Sequence, residues 1–202
     1  MKLYFSPGAC SLSCRISIHE MGLNCAFEQV DLKTKQTKSG QDYLKIAPKG
    51  AVPALGLEGF TLTEGPAILQ YLADTHKKTN VLPALGDVKR YQVIEWLNFI
   101  TSELHKGASP LFNGNIPQAI KDEVMIPNLK KKLDYLDLQF AKTKLLMGDQ
   151  YTVADGYLFT VLRWLPHFKI DLSSWKNVSR FYNEMKQRPA VTQSLKEEGI
   201  EA

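Results

Sequence analysis

Nowhere does the sequence offer a run of apolar residues near the roughly 20 that a membrane-spanning helix requires, and no apolar stretch follows basic residues at its start as in a secretory signal. No membrane association is expected. Cysteine is scarce: three residues, at 10, 14 and 25, form an odd, clustered set that makes a poor disulfide framework and fits reduced thiols in the cytoplasm. There is no Cys-x-x-Cys pair. "CSLSC" is a wider step, so the dithiol redox motif is missing. The four histidines, at 19, 76, 105 and 167, lack metal-ligand spacing, and no metal is expected. Charge of one sign is not concentrated either. The formal net charge is +4, and residues 1–80 carry nine Lys/Arg against seven Asp/Glu. Without a basic arm, nucleic acid is not favoured as a partner.

What is present suffices for a sizeable core. Hydrophobic residues make up 44% and charged residues 23% of 202, an ordinary balance for one large domain or two small ones. "KLYFS" reads as a short strand. "CSLSCRISIHEMGL" reads as a helix, with Leu12, Ile16 and His19 at helical spacing and Gly22 to stop it. "AFEQVDL" alternates as a strand with Phe27 and Val30 apolar, "KTKQTKSG" is a basic polar loop, and "QDYLKIA" is a short helix. "PALGL" and "FTLT" are strand candidates around a Glu-Gly turn. "TEGPAILQYLADTHKK" opens with an acid and a Pro in its first turn, as helices do. Two strands joined by a helix demand a parallel, right-handed crossover. The order therefore predicts an α/β, thioredoxin-like N-terminal domain (βαβαββα) over residues 1–80.

"TNVLPALGD", residues 79–87, reads as a linker by its Pro and Gly. After it the strand signals vanish, and an all-α C-terminal domain is expected over 87–202. One long helix places Tyr91, Ile94, Leu97, Ile100 or Thr101, and Leu104 on one face. A second long helical pattern, "QAIKDEVMIPNLKKKLDYLDLQFAK", breaks or kinks near Pro127. "TVADGYLFTVLRWLPHF" is apolar enough to be buried. It opens on a capping-box pattern, Thr152 with Asp155 three residues on, although Gly156 leaves the accompanying apolar staple incomplete. "SWKNVSRFYNEMKQRPAV" supplies one or two closing helices.

Four places can carry chemistry. The first is Cys10, where a strand hands over to a helix. Helix N–H groups favour a thiolate there, but a dipole contribution of about 0.3–1 kcal/mol is less than the about 1.36 kcal/mol of one pKa unit. Further donors are needed, and Ser11 offers a hydroxyl and an N–H. A lone Cys is otherwise a small buried hydrophobe, the reading that suits Cys14, for which a resolving-thiol role would need the helix to fray; Cys25, opening a strand, is read as structural. The second place is Val52-Pro53. A cis bond at a strand start would leave the backbone of Val52 to pair with an extended ligand, whereas an isolated X-Pro bond is ordinarily trans. The third is Glu64-Gly65 at a helix start, where an N-terminus suits a carboxylate and Glu64 an ammonium group. Together they could hold both ends of an α-amino acid, or Glu64 could simply complement the dipole. The fourth is "NFITSELHKG", with Asn98, Thr101 or Ser102, and His105 at helical spacing in a polar stripe.

In this order and spacing, "MKLYFSPGACSLS", "DLKTKQTKSGQDYL", "PKGAVPAL", "LTEGPAILQYLAD", "IEWLNFITSELHKG" and "TVADGYLF" make the chain resemble the bacterial beta-class glutathione transferases over essentially its whole length. The resemblance implies a glutathione-binding first domain, a helical second domain contributing the electrophile site, and a cytoplasmic, detoxifying homodimer. It implies catalytic roles for Cys10, Ser11 and His105, with Cys10 able to hold glutathione as a mixed disulfide. It implies glutathione contacts from Cys10, Lys35, Val52, Glu64, Gly65, Asn98, Ser102, Glu103, Leu104 and His105. Cys14 and Pro66 depart from the pattern, and Pro66 has no N–H to give an anion. The activity implied is conjugation of glutathione to hydrophobic electrophiles. A glutathione-dependent thiol-disulfide reductase or dehalogenase, and a non-catalytic ligand-binding protein of the same fold, are the alternatives.

Overall fold

A computed structural model describes residues 1–200. They form two compact units, one of residues 1–84 together with the chain from Lys186 onward, the other of Leu85–Met185.

The first unit is built on a five-stranded sheet of order β3-β2-β1-β4-β5. Strand β1 (Lys2–Phe5) is parallel to β2 (Ala26–Asp31), with Leu3 opposite Phe27, as the crossover through helix α1 (Leu12–Glu20) requires. Strand β4 (Ala54–Gly56) runs antiparallel to β1 with Leu55 opposite Leu3, and forms a hairpin with β5 (Thr61–Thr63). Helix α2 (Gly65–Thr75) follows. Strand β3 (Gln36–Thr37) was not expected. It lies inside the stretch read as a polar loop, and two residues are too few to show alternation. The helix expected over "QDYLKIA" is a single 3-10 turn, Tyr43–Lys45, capped by the Asp42 carboxylate, which accepts from Leu44 N–H at 3.0 Å.

Both faces of β1 are covered, so its buried residues are consecutive. Leu3, Leu12, Ile16, Ile68, Leu69 and Leu72 are fully buried, while Tyr4 packs with Val30, Tyr43, Val52 and Ala54. Helix Pro189–Glu198 lies along α1 and belongs to the first unit, not to the helical domain expected over residues 87–202. The anchor is Arg15, a charged side chain buried on α1. Its guanidinium sits over the rings of Phe5 and Phe27, at 4.2 and 3.9 Å, and pairs with Glu197 at 2.8 Å and Glu198 at 3.1 Å. Such a charge is tolerable inside only when paired.

In the second unit, helix α3 (Val88–Phe99) runs on as a π-helical stretch, Ile100–His105. Its buried side chains are Arg90, Val93, Leu97, Ile100 and Leu104. Tyr91 is 60% exposed, so the expected apolar face lies one position away at its N-terminal end. The second long pattern is also divided: a π stretch, Lys121–Met125, precedes the α-helix Ile126–Phe140. Pro127 sits in the first turn of that helix, where its missing N–H costs nothing. Helix Val153–Leu162 is buried on every side, and its Thr152–Asp155 capping box is formed. No helix among the described residues is long and apolar enough to cross a membrane.

Candidate active site

The segment between β1 and α1 is a tight turn. Gly8 takes φ +70°, a conformation that side chains rarely adopt, and Ala9 N–H closes onto Ser6 C=O at 3.1 Å. Gly8 N–H donates to the Glu198 carboxylate at 2.8 Å. The Ser11 hydroxyl is buried and tied to Ser6, accepting its N–H at 3.2 Å and donating to its C=O at 3.3 Å. The expected donor hydroxyl is therefore engaged in holding the turn. The first amides of α1 are engaged too: Leu12 N–H bonds Ala9 C=O and Ser13 N–H bonds Cys10 C=O.

This turn presents Cys10, half-buried, with its thiol donating to Val52 C=O at 3.1 Å. The Val52–Pro53 peptide bond is cis. A methyl group at Gly65 would stand 3.8 Å from the Pro53 ring, so the start of α2 rests against that proline. Glu64, the residue before α2, has φ +71° and pairs its carboxylate with Lys49 at 2.6 Å, both side chains well exposed. Lys35, with φ +57°, donates from Nζ to Gly50 C=O at 2.7 Å. A side chain at Gly50 would meet Lys35 Nζ at 3.4 Å and Leu44 at 3.1 Å, so glycine keeps this approach open. Cys10, Val52, Gly65, Glu64 and Lys35 thus come together on one rim of the first unit, joined through the segment 49–53.

Cys14 is fully buried one turn into α1. Burial pushes its thiol pKa up, against an opposing hydrogen bond from Ser13. It is inert packing, as expected. Cys25 is half-buried and its thiol donates to Ala26 C=O at 3.2 Å; burial raises its pKa as well.

The remaining expected residues lie in the second unit. Asn98 and Ser102 are exposed, and the Ser102 hydroxyl donates to Asn98 C=O at 3.0 Å. Glu103 pairs with Lys132 at 2.6 Å. Leu104 is 1% exposed, so its side chain belongs to the core and is not available to a ligand. His105 Nδ1 shares a 2.6 Å hydrogen bond with the Tyr157 hydroxyl, and its ring stands edge-on to Trp164 at 4.9 Å. Sequence reasoning missed Lys49, Tyr157 and Glu198. Lys49 stood in the quoted "PKG" and Tyr157 in "TVADGYLF", but neither type nor spacing marks either one. Glu198 is distant from the turn in sequence, and no local pattern signals such a bond.

Among the described residues no group of three or more His, Cys, Asp or Glu is placed to hold a metal ion. What this rim can do is hold an extended peptide by its backbone, with charges of both signs at its ends and a thiol beside it.

The family model for the glutathione S-transferase N-terminal domain matches residues 1–74, and that for the glutathione S-transferase C-terminal domain matches residues 99–189. Glutathione S-transferase GstA of Escherichia coli is 43% identical over 201 residues, 99% of this chain and 100% of that protein. Among solved structures, a ternary complex of BphK, described as a bacterial GST, superposes with a TM-score of 0.95 at 48% identity, covering 99% of this chain and 100% of that one. A beta-class glutathione S-transferase of Sphingomonas chungbukensis superposes with a TM-score of 0.94 at 40% identity over 100% of both chains. With both family models matched and these identities sustained from end to end, the chain belongs to the glutathione S-transferase family.

Proposed function

We propose that this chain transfers hydrophobic electrophiles to the sulfur of glutathione. The observation that carries the reading is the meeting of the Cys10 thiol with the carbonyl of Val52, at the cis bond against which α2 begins. Glutathione is a tripeptide with two carboxylates and one ammonium. Its cysteinyl unit pairs with the backbone of Val52, which is extension of a sheet edge by a ligand strand. Lys35 neutralises the glycyl carboxylate. Glu64 takes the γ-glutamyl ammonium group, and the Lys49 ion pair opens to admit it. The γ-glutamyl carboxylate is left to Gly65 N–H and its neighbours, since Pro66 has none. The sulfur then lies beside Cys10.

Donors at Cys10 stabilise the glutathione thiolate, and Ser11 acts through the turn it holds. The thiolate attacks the electrophilic carbon; the carbon–sulfur bond forms as the leaving group departs with its electron pair. With oxidised glutathione, a Cys10 thiolate attacks one sulfur, forming a mixed disulfide and releasing one glutathione thiolate. The likeness to beta-class enzymes supports a bacterial, cytoplasmic homodimer acting in detoxification.

Steady-state conjugation of chlorodinitrobenzene tests this reading. Glu64→Ala is expected to raise KM for glutathione strongly; an unchanged KM would remove the γ-glutamyl site from the start of α2. Absence of glutathione uptake by folded protein at millimolar ligand, read by calorimetry, would end the proposal.

A further inference from the structure

Tyr43 has no part in the transferase reading, yet it is bonded to both places where that reading anchors the cysteinyl and glycyl units of glutathione. Its side chain is fully buried in a cluster with Tyr4, Val30, Ala47, Val52 and Ala54, the Tyr4 ring tilted against it at 5.7 Å. The ring alone would fill that space. A hydroxyl taken out of water is costly unless it is bonded, and this one donates to Ala51 C=O at 2.8 Å. Burial raises its pKa, with Tyr4 adding to the rise, so it stays a donor. The main chain of Tyr43 is bonded as well. Its N–H donates to Lys35 C=O at 2.9 Å, and its C=O accepts from Ile46 and Ala47 N–H at 3.0 and 2.8 Å.

The bond to Ala51 has a directional consequence one residue on. The Ala51–Val52 peptide bond is trans, so its C=O and N–H point in opposite directions across one plane. A carbonyl held inward by a buried hydroxyl turns the Val52 N–H away from Tyr43. Val52 precedes a proline, which restricts it to extended backbone, and an extended residue presents its N–H and C=O along the same edge. On that edge Val52 C=O already accepts the Cys10 thiol at 3.1 Å. Val52 N–H donates to no described residue, although Val52 is only 7% exposed. It is a donor left without a protein acceptor, on the edge that faces Cys10.

We propose that Tyr43 is a positioning residue for glutathione: its hydroxyl, through the Ala51–Val52 peptide, aims the Val52 amide at the cysteinyl carbonyl of the bound tripeptide. The inference rests on the transferase reading and deepens its glutathione site. Tyr43 itself touches neither ligand nor reacting atoms. Its main-chain bond to Lys35 sets the two anchors, amide and ammonium, on one framework, which Lys35 Nζ closes at Gly50 C=O.

The test uses the full chain and S-methylglutathione, which keeps the tripeptide backbone and cannot form a disulfide with Cys10. Selective isotope labelling of valine follows the Val52 amide by NMR, identified by its disappearance in Val52→Ala. In the parent the ligand is expected to move that amide proton downfield; an unmoved amide overturns the proposal. Tyr43→Phe keeps the ring and the main-chain bonds and removes only the hydroxyl. It is expected to bind S-methylglutathione about fivefold more weakly in calorimetry, the worth of one hydrogen bond, with a smaller shift at Val52. Its preference for S-methylglutathione over the glycyl ethyl ester of that compound, which reads Lys35, should stay at the parent's value. Parental affinity in Tyr43→Phe, even with lowered thermal stability, would confine the hydroxyl to the core and overturn the proposal. Loss of the ester preference along with affinity would also overturn it, because the whole rim would then have loosened. Should Tyr43→Phe fail to fold, Tyr43→Met, which fills the space with a flexible apolar chain, is held to the same readings. No binding by the parent would sink the transferase reading and this inference together. The expected responses at Val52 and Tyr43, without conjugation of chlorodinitrobenzene by glutathione, would leave the positioning role standing and sink the transferase reading alone. Conjugation by a parent whose Tyr43→Phe variant binds as tightly would do the reverse.

Discussion

Cys10 and Cys14 are four residues apart and opposite in character. The thiol of Cys10 is half-buried and bonded to Val52, whereas that of Cys14 is sealed in the core. Cys10→Ala is expected to abolish the mixed disulfide with glutathione, read by mass spectrometry, while lowering conjugation less. Equal loss of both would mean that Cys10 itself builds the thiolate site. For Cys14 the consequence is in stability. Burial raises its folded pKa above that of the unfolded chain, so its contribution is whole below the ordinary thiol pKa of about 8.5. As pH rises beyond that, the unfolded thiol ionises first, and stability falls by about 1.4 kcal/mol per pH unit. The urea midpoint should therefore fall less steeply from mildly to strongly alkaline pH in Cys14→Ala than in the parent; parallel slopes would contradict the assignment. The difference between the two cysteines was legible in sequence as strand-to-helix position against helix interior. The engagement of the Ser11 hydroxyl was not, because a serine beside a cysteine reads equally as donor and as turn fastener.

At the scale of elements, two connections hold the units internally. The Asp155 carboxylate is buried at the start of helix Val153–Leu162 and accepts from Thr152 N–H at 2.7 Å, the Thr152 hydroxyl at 2.8 Å and Leu146 N–H at 2.9 Å. Asp155→Ala leaves these donors without that acceptor and should cost roughly 3 kcal/mol in chemical unfolding; a loss near zero would show that the cap is dispensable. In the first unit, the Glu198 side chain is fully buried and bonds both Arg15 and the Gly8 amide. Glu198→Gln keeps the shape and removes one of the two charges facing Arg15. Destabilisation of about 3 kcal/mol is expected, at the low end for a broken buried pair because Glu197 remains. Slower formation of the Cys10 mixed disulfide should accompany it if Glu198 positions the turn; an unaltered rate would confine the residue to stability. The capping box was legible because its signature is local. The docking of the last helix on α1 was not, since a buried Arg15 reads in sequence like any helix-surface arginine.

For the whole molecule, binding and stability are linked. Ligand that prefers the folded state adds about 2.7 kcal/mol at a hundredfold excess over Kd. For a chain of this size that corresponds to a rise in Tm of roughly 5–10 °C, to be read by calorimetric scans with and without glutathione. No rise at saturating ligand would contradict the site on the first unit. The two-part organisation was visible in the disappearance of strand signals after the linker. It was visible because alternation of period two is a property of the sequence itself. The π-helical stretches at Ile100–His105 and Lys121–Met125 were not visible, since their residues share the apolar spacing of ordinary helix and differ only in where the backbone bonds fall.

The clasp between Arg15 and the glutamates of the final helix has a bearing on biosynthesis. A ribosome releases the residues that make the sheet long before it releases their partner helix, so the N-terminal unit stays incomplete until Pro189–Glu198 has emerged. The intervening helical segment, Leu85–Met185, needs nothing from beyond itself to be contiguous and is free to fold first on the nascent chain.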